Sequence, residues 1–175
     1  MAQDLLHYYN KAKEEKWAMI QFNWSTPEML RGVIQAAEKL RSPLLLGTSE
    51  GDSSFIGTRQ SVALVEAYRR DTDIPIFLTL DHGKSFEYLK LAIDAGYDSI
   101  HIDASRMTID ENIEITKKVV EYAKSKDESI MLEGELGYLR GGSSIHKAIK
   151  VKSGDLTDPK QALEFVEYTG IDSLA

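Results

Sequence analysis

The sequence predicts an α/β fold: a TIM (β/α)8-type barrel carried through five βα units and the first residues of a sixth strand. Three observations lead there. Short, near-continuous apolar runs alternate with segments of helical periodicity, the pattern of parallel strands covered by helices. Helix-opening and helix-closing residues fall between them. Polar or ionisable residues stand at five successive strand ends, where a βα barrel places its chemistry. An open doubly wound sheet is the rival architecture. An eight-unit barrel takes ~250 residues, so the 175 residues here are expected to form a single partial barrel domain, 1–175, without its C-terminal units.

The elements follow in order. Gln3 to Glu15 reads as an amphipathic helix with Leu5, Tyr9 and Ala12 on one face. Ala18 to Ser25 reads as a strand. Thr26-Pro27 supplies an N-cap and a first helical residue, and Met29, Val33, Ala37 and Leu40 keep helical spacing behind it. PLLLGTS is a strand, EGDSSFIG a glycine- and serine-rich loop, and Thr58 to Arg70 a helix. IPIFLTL is the next strand, followed by a helix marked by Phe86, Leu89 and Ile93 and stopped at Gly96. DSIHID precedes a helix from Asp110 to Ser125 with Ile113, Val120 and Ala123 facing inward. SIMLEGEL is a strand. A long polar segment leads from it to Asp158-Pro159, which opens a helix running to Gly170, and IDSLA begins another strand.

Composition narrows the function. Hydrophobic content of 42% and charged content of 28% are those of a globular domain. No apolar run approaches the length of a membrane span, and the first residues carry acids and no cleavable apolar core, so neither a spanning helix nor a signal peptide is read. With no cysteine there is no disulfide, thiol nucleophile or thiolate metal site. A net charge of −7 opposes binding nucleic acid by phosphate neutralisation, while a small anionic ligand stays open. The expected setting is cytoplasmic, with no membrane or nucleic-acid partner.

The strand ends hold Asn23, Ser49, Asp81-His82, Asp103 and Glu135. Any one of these could simply cap a helix or turn the chain; the series on one rim points to a site. Adjacent residues on a regular strand face opposite ways, so Asp81 and His82 serve one site only where the strand gives way, a break Gly83 would permit. Ser85 would then cap the next helix. An imidazole beside a carboxylate suits metal ligation with proton transfer. His101 lies one pleat deeper than Asp103 and reads as a hydrogen-bonded interior residue, His7 as a surface group. Glu133 and Glu135 share a face, one of them structural. RGGSS lacks the lysine and following helix of a phosphate loop and reads as a surface loop or, from its length, a lid. KAIKVKSGD is a solvated face.

QFN, PLLLGTSEG, LDHGKSFE, AIDAGYDSIHIDAS, ENIEITKKVVEYA, EGELG and LTDPKQALEFVEYTGIDSLA, in that order and spacing, resemble the class II metal-dependent ketose-bisphosphate aldolases, which include fructose- and tagatose-bisphosphate aldolases. The resemblance covers nearly the whole chain and implies cleavage of a ketose 1,6-bisphosphate, fructose 1,6-bisphosphate first, to dihydroxyacetone phosphate and glyceraldehyde 3-phosphate. It makes Asp81 the acid that exchanges a proton with the oxygen at the cleaved bond, and His82 a ligand of the catalytic zinc. Asp103 and Glu135 hold a second or alternative cation, divalent or monovalent. Ser49 contacts the phosphorylated sugar and Asn23 stands at the rim.

The chemistry is consistent with this. A divalent cation stabilises the negative charge left by carbon–carbon cleavage, and a carboxylate beside it suits proton removal if its pKa is tuned upward. No strand ends in a lysine, which disfavours a Schiff base. The family's other zinc histidines and phosphate-gripping loops lie beyond the stretch that GIDSLA matches, so the chain reads as an N-terminal portion. Its exposed strand edges are expected to make it a homo-oligomer. In the family's lid, acids follow a glycine pair; here Gly141-Gly142 lead to His146, a candidate replacement proton-transfer group. The alternatives are a non-catalytic remnant or binding module, or a metal-dependent lyase for another phosphorylated ketose.

Overall fold

In the computed structural model, which describes residues 4–137 and 156–175, helices and strands alternate as expected. They are α1 (Leu5–Glu15), β1 (Gln21–Asn23), α2 (Pro27–Leu40), β2 (Leu44–Ser49), α3 (Glu50–Ile56), α4 (Thr58–Asp71) and β3 (Ile76–Gly83). After these come α5 (Phe86–Ala95), β4 (Ser99–Ile102), α6 (Ile109–Lys126), β5 (Met131–Gly134), α7 (Pro159–Thr169) and β6 (Ser173–Leu174). The lid candidates Gly141, Gly142 and His146 lie outside the described residues.

One sheet contains all six strands, parallel throughout and ordered β1-β2-β3-β4-β5-β6. Strand order decides between the two architectures. A doubly wound sheet reverses direction at a switch point so that helices cover both faces. Here the order never reverses, and right-handed crossovers then put every connecting helix on the same side, as in a barrel wall.

The pleat sorts the strands accordingly. Leu44, Leu46, Ile76, Leu78, Leu80, Ile100, Ile102 and Leu132 face the helices and join Leu30, Ile34, Val65, Leu89, Ile93, Val119 and Phe165 in the main core. The alternate residues Leu45, Phe77 and Met131 face the other way and are covered at one end by Leu5 of α1. Further along the same inner rows the side chains turn polar.

Two helical expectations change. EGDSSFIG is largely α3, because Ser49 and Asp52 form a reciprocal capping box that starts a helix directly on the strand end. In α2 the buried stripe is Leu30, Ile34 and Ala37, whereas Met29 and Leu40 of the expected row are exposed. In α6, Ala123 is buried as expected, alongside Asn112, Thr116 and Val119; Ile113 and Val120 flank that face, half-buried against the core. The capping residues of α5 and α7 act as read: Ser85 accepts from the Tyr88 amide, and Asp158 from those of Lys160 and Gln161.

A repeated device sets the strand register. Gly96-Tyr97-Asp98-Ser99-Ile100 and Gly170-Ile171-Asp172-Ser173-Leu174 both carry the chain from a left-handed helix cap into a strand. Asp98 accepts from the Leu78 amide at 2.7 Å, and Asp172 from the Leu132 amide at 2.8 Å. Each carboxylate also meets a cation, Arg69 and Lys124 respectively. Each aspartate thereby clamps a strand to the one beside it in the sheet.

Candidate metal and proton-transfer site

The ends of β1 to β5 lie side by side because the ladders are in register: Asn23 opposite Gly47, and Ser49 opposite Asp81. The strand-end series expected from the sequence is therefore one rim. At its centre β3 does not stop before Gly83 but bulges. Leu80 pairs with Ile100 and Gly83 with Ile102, leaving two residues of β3 against one of β4. His82 occupies the left-handed region at φ 54, an unusual conformation for a side chain with a Cβ. That bulge brings Asp81 and His82 to one site. The break falls at His82 instead of at the glycine. Gly83 is needed for a different reason: a Cβ there would run into the methyls of Leu89 and Leu80.

Asp81 sits in a web of polar partners on the inner face. Gln21 Nε2 donates to Asn23 Oδ1 at 2.9 Å, and Asn23 Nδ2 donates to Asp81 Oδ2 at 2.6 Å. Gly47 makes room for both amides, since a Cβ there would strike Asn23 Oδ1 and come within 2.8 Å of Gln21 Nε2. His101 Nδ1 lies 3.6 Å from Asp81 Oδ1. His101 beside it, then the amides of Asn23 and Gln21, hold the Asp81 carboxyl well below the usual carboxylate range against the opposing effect of burial. Proton exchange called for an upward shift; the site shows the reverse, because donors crowd the carboxylate.

His82 projects between two acids from neighbouring strand ends. Its Nδ1 is 3.1 Å from Asp103 Oδ2 and 3.1 Å from Glu135 Oε2, with both carboxylates 85% covered and His82 half-exposed. Asp103 also accepts from Ser105 Oγ at 2.7 Å; burial pushes its carboxyl up, but the Ser105 and His82 contacts outweigh that and hold it low. Glu135 follows directly on β5, its carbonyl gripped by Asn112 Nδ2 of α6 at 2.9 Å. Asn112 was not singled out from the sequence, where it looks like a polar residue in an exposed helix.

Ser49 reaches the rim, but its hydroxyl donates to Asp52 at 2.6 Å and accepts from the Asp52 amide. Glu133 lies deeper on the inner face and helps raise the pKa of Tyr9, whose burial is the main cause. His7 is exposed, as read. His101 is buried, also as read, yet its Nε2 accepts or donates no hydrogen bond. Gln21 shares its inward row with Asn23 two residues on, the period-two signal by which it could have been found.

The donor set fits a metal cation. Donor atoms of His82, Asp103 and Glu135 lie within 4.8 Å of one another, and so do those of Asp81, His82 and His101. Glu135 Oε2 is shut away from solvent between the His82 and His101 rings, 3.1 Å from a nitrogen of each, without a well-aligned hydrogen bond to either. Imidazole with carboxylates suits zinc and other divalent first-row ions.

Comparison with known proteins gives a family and a fold. Residues 3–175 match the family model "Fructose-bisphosphate aldolase class-II". The chain is 42% identical over 168 residues to a fructose-bisphosphate aldolase of Staphylococcus epidermidis, covering 94% of this chain and 57% of that protein. It is 41% identical over 170 residues to one of Geobacillus stearothermophilus, covering 95% of this chain and again 57% of the relative. The crystal structure of the YdjI aldolase from Escherichia coli K12 superposes with a TM-score of 0.81 at 33% identity, over 99% of this chain and 60% of that one. The chain thus spans a little over half the length of these relatives.

Proposed function

Given that this chain belongs to the class II fructose-bisphosphate aldolase family, we propose that it supplies the proton-transfer and first metal-binding half of an aldol-cleavage site. The observation that supports this reading most is the bulge at Asp81-His82, which turns a carboxylate and an imidazole into one rim beside Asp103 and Glu135. The substrate proposed is fructose 1,6-bisphosphate and the metal zinc, with His82 as its first ligand and Asp103 and Glu135 holding it or a second cation. When bound, the cation acts as a Lewis acid for the negative charge that develops on the ketone oxygen.

The chain's own residues do the rest. Asp81 meets the hydroxyl at the cleaved bond as an ionised carboxylate and takes its proton as the carbon–carbon bond breaks; the new aldehyde leaves as glyceraldehyde 3-phosphate, and the bonding pair stays with the other half, whose carbon then gains a proton to give dihydroxyacetone phosphate. In the reverse direction Asp81 returns that proton. Asn23 orients the carboxylate through its 2.6 Å bond, backed by Gln21. Ser49 is proposed as a substrate contact, which requires its hydroxyl to exchange Asp52 for the sugar. His146 is proposed as a proton-transfer group in the lid.

Cytoplasmic location is part of the proposal; among the described residues no helix is long and apolar enough to cross a membrane. Self-association is proposed through the exposed apolar residues at the β1 edge, Ile20 and Phe22.

The test is aldol cleavage of fructose 1,6-bisphosphate by the 175-residue chain with zinc, with and without a chelator, alongside Asp81→Asn. Cleavage lost in the chelator and in Asp81→Asn bears the proposal out. Chelator-resistant cleavage refutes the metal mechanism. Metal binding without cleavage favours the non-catalytic binding module, a reading that draws on the 57% coverage of the relatives.

A further inference from the structure

We propose that Asn112, locked by Thr116, is a positioning residue for Glu135: from α6 it fixes the stretch of backbone that carries the Glu135 carboxylate to the cation. The inference deepens the reading above and rests on it for Glu135 as a cation ligand. It starts from a gap in the sheet. β4 ends at Ile102, whose partner is Gly134 at the end of β5. Beyond that pair the chain is held from the β6 side alone, the Ala175 amide donating to the Gly134 carbonyl at 2.9 Å and the Leu136 amide to the Ala175 carbonyl at 3.0 Å. With Gly134 and Leu136 facing β6, the Glu135 carbonyl between them turns the other way, toward β4, where no strand is left to pair with it. Asn112 Nδ2 fills that gap, donating to the Glu135 carbonyl at 2.9 Å.

The amide is held in one orientation. Thr116 Oγ1, one helical turn on, donates to Asn112 Oδ1 at 3.0 Å. A carbonyl only accepts, so the side-chain amide presents its nitrogen to Glu135 and its oxygen to the Thr116 hydroxyl. Asn112 is 2% exposed and Thr116 fully buried, so both bonds lie out of reach of solvent. The buried face of α6 reads Asn112, Thr116, Val119 and Ala123, polar beside the rim and apolar beyond it. Polar side chains are thus buried in this helix only where a strand end needs a donor. The Thr108–Glu111 capping box anchors the same end of α6 and gives the amide a fixed base.

The consequence falls on the carboxylate. Glu135 Oε2 stands 3.1 Å from His82 Nδ1, and Glu135 offers a donor atom to the same group as His82 and Asp103. Groups that orient a ligand raise metal affinity without touching the metal. Asn112 does so through the main chain, which leaves both carboxylate oxygens of Glu135 for the cation and the imidazoles.

The experiment sets metal affinity against stability, without turnover. The chelator-stripped chain and its variants are titrated calorimetrically with Zn2+ and unfolded in urea. Asn112→Asp keeps the shape but puts an acceptor against the Glu135 carbonyl; its Zn2+ affinity is expected to fall at least ~10-fold, the scale known for lost outer partners of metal ligands. Thr116→Val, which frees the amide to turn, should also weaken binding, while Thr116→Ser, which keeps the hydroxyl, should bind like the wild type. Thr108→Ala loosens the same helix end without touching the amide, and should lower stability with Zn2+ affinity unchanged. If Asn112→Asp does not fold, the two Thr116 variants decide. Wild-type affinity in Asn112→Asp or Thr116→Val, or an equal loss in Thr108→Ala, overturns the inference and leaves the metal reading standing. No Zn2+ binding by the wild type overturns both.

Discussion

Substituting Gly83 by alanine tests how the bulge is held. Gly83 has an ordinary negative-φ backbone, so alanine carries no conformational penalty of the left-handed kind. The cost is steric. Its new methyl would overlap Leu89 Cδ2, approach Leu80 Cδ2 to 2.9 Å and lie 3.1 Å from Leu89 Cγ. Both leucines are fully buried in the main core, so neither can swing into solvent. Adding a methyl to such a site costs about 1–3 kcal/mol. For a chain of this size 1 kcal/mol moves the melting temperature by roughly 2–4 °C, so Gly83→Ala should melt roughly 2–12 °C lower.

Gly32→Ala supplies the opposite sign. Gly32 is exposed in the middle of α2 and has nothing within 4 Å of a Cβ, so the change only improves helix propensity. It should stabilise by about 0.5–1 kcal/mol. Both are measured by thermal and urea unfolding followed by circular dichroism. Gly83→Ala melting within error of the wild type would show that Leu80 and Leu89 have free space, and the packing argument for that glycine would fail.

Other expectations concern a helix cap and an edge. Thr108 and Glu111 cap α6 reciprocally, the Glu111 carboxylate accepting from the Thr108 amide at 2.9 Å and hydroxyl at 2.8 Å. Thr108→Ala should cost ~1 kcal/mol in urea denaturation. The same contacts depress the Glu111 pKa from its ordinary 4.5. Its contribution is therefore complete above that value and is lost as pH falls through the lower folded-state value. Glu111→Gln should flatten this part of the pH–stability curve; an unchanged acid limb would count against the cap. At the β1 edge, Ile20 is 59% exposed and Phe22 44% exposed. Ile20→Lys with Phe22→Lys should lower the mass of associated chain in light scattering, and an unaltered mass distribution would place self-association elsewhere.

Much of the candidate site was legible because barrel chemistry sits at strand ends and strand ends are local events. Asp81, His82, Asp103 and Glu135 each follow an apolar run, and His82 joins them, its donor atoms within 4.8 Å of those of Asp81 on one side and of Asp103 and Glu135 on the other. What escaped the sequence is contact between strands. Gln21 behind Asn23, Asn112 under Glu135 and the unsatisfied Nε2 of His101 depend on which residue lies across the ladder, and no local pattern records that. The Ser49–Asp52 box was written in SEGD but was hidden by glycine and serine, which signal loops as readily as caps.

By itself the sequence determined the α/β alternation, the helix caps at Thr26, Ser85 and Asp158, and the row of polar strand ends, because periodicity and capping are short-range physics. Only the tertiary structure decided that the sheet winds one way, that β3 bulges at Asp81-His82 and runs on to Gly83, and that Asp81 is held ionised. Those outcomes turn on register and on neighbours distant in the chain: Asn23 is 58 residues from the carboxylate it orients.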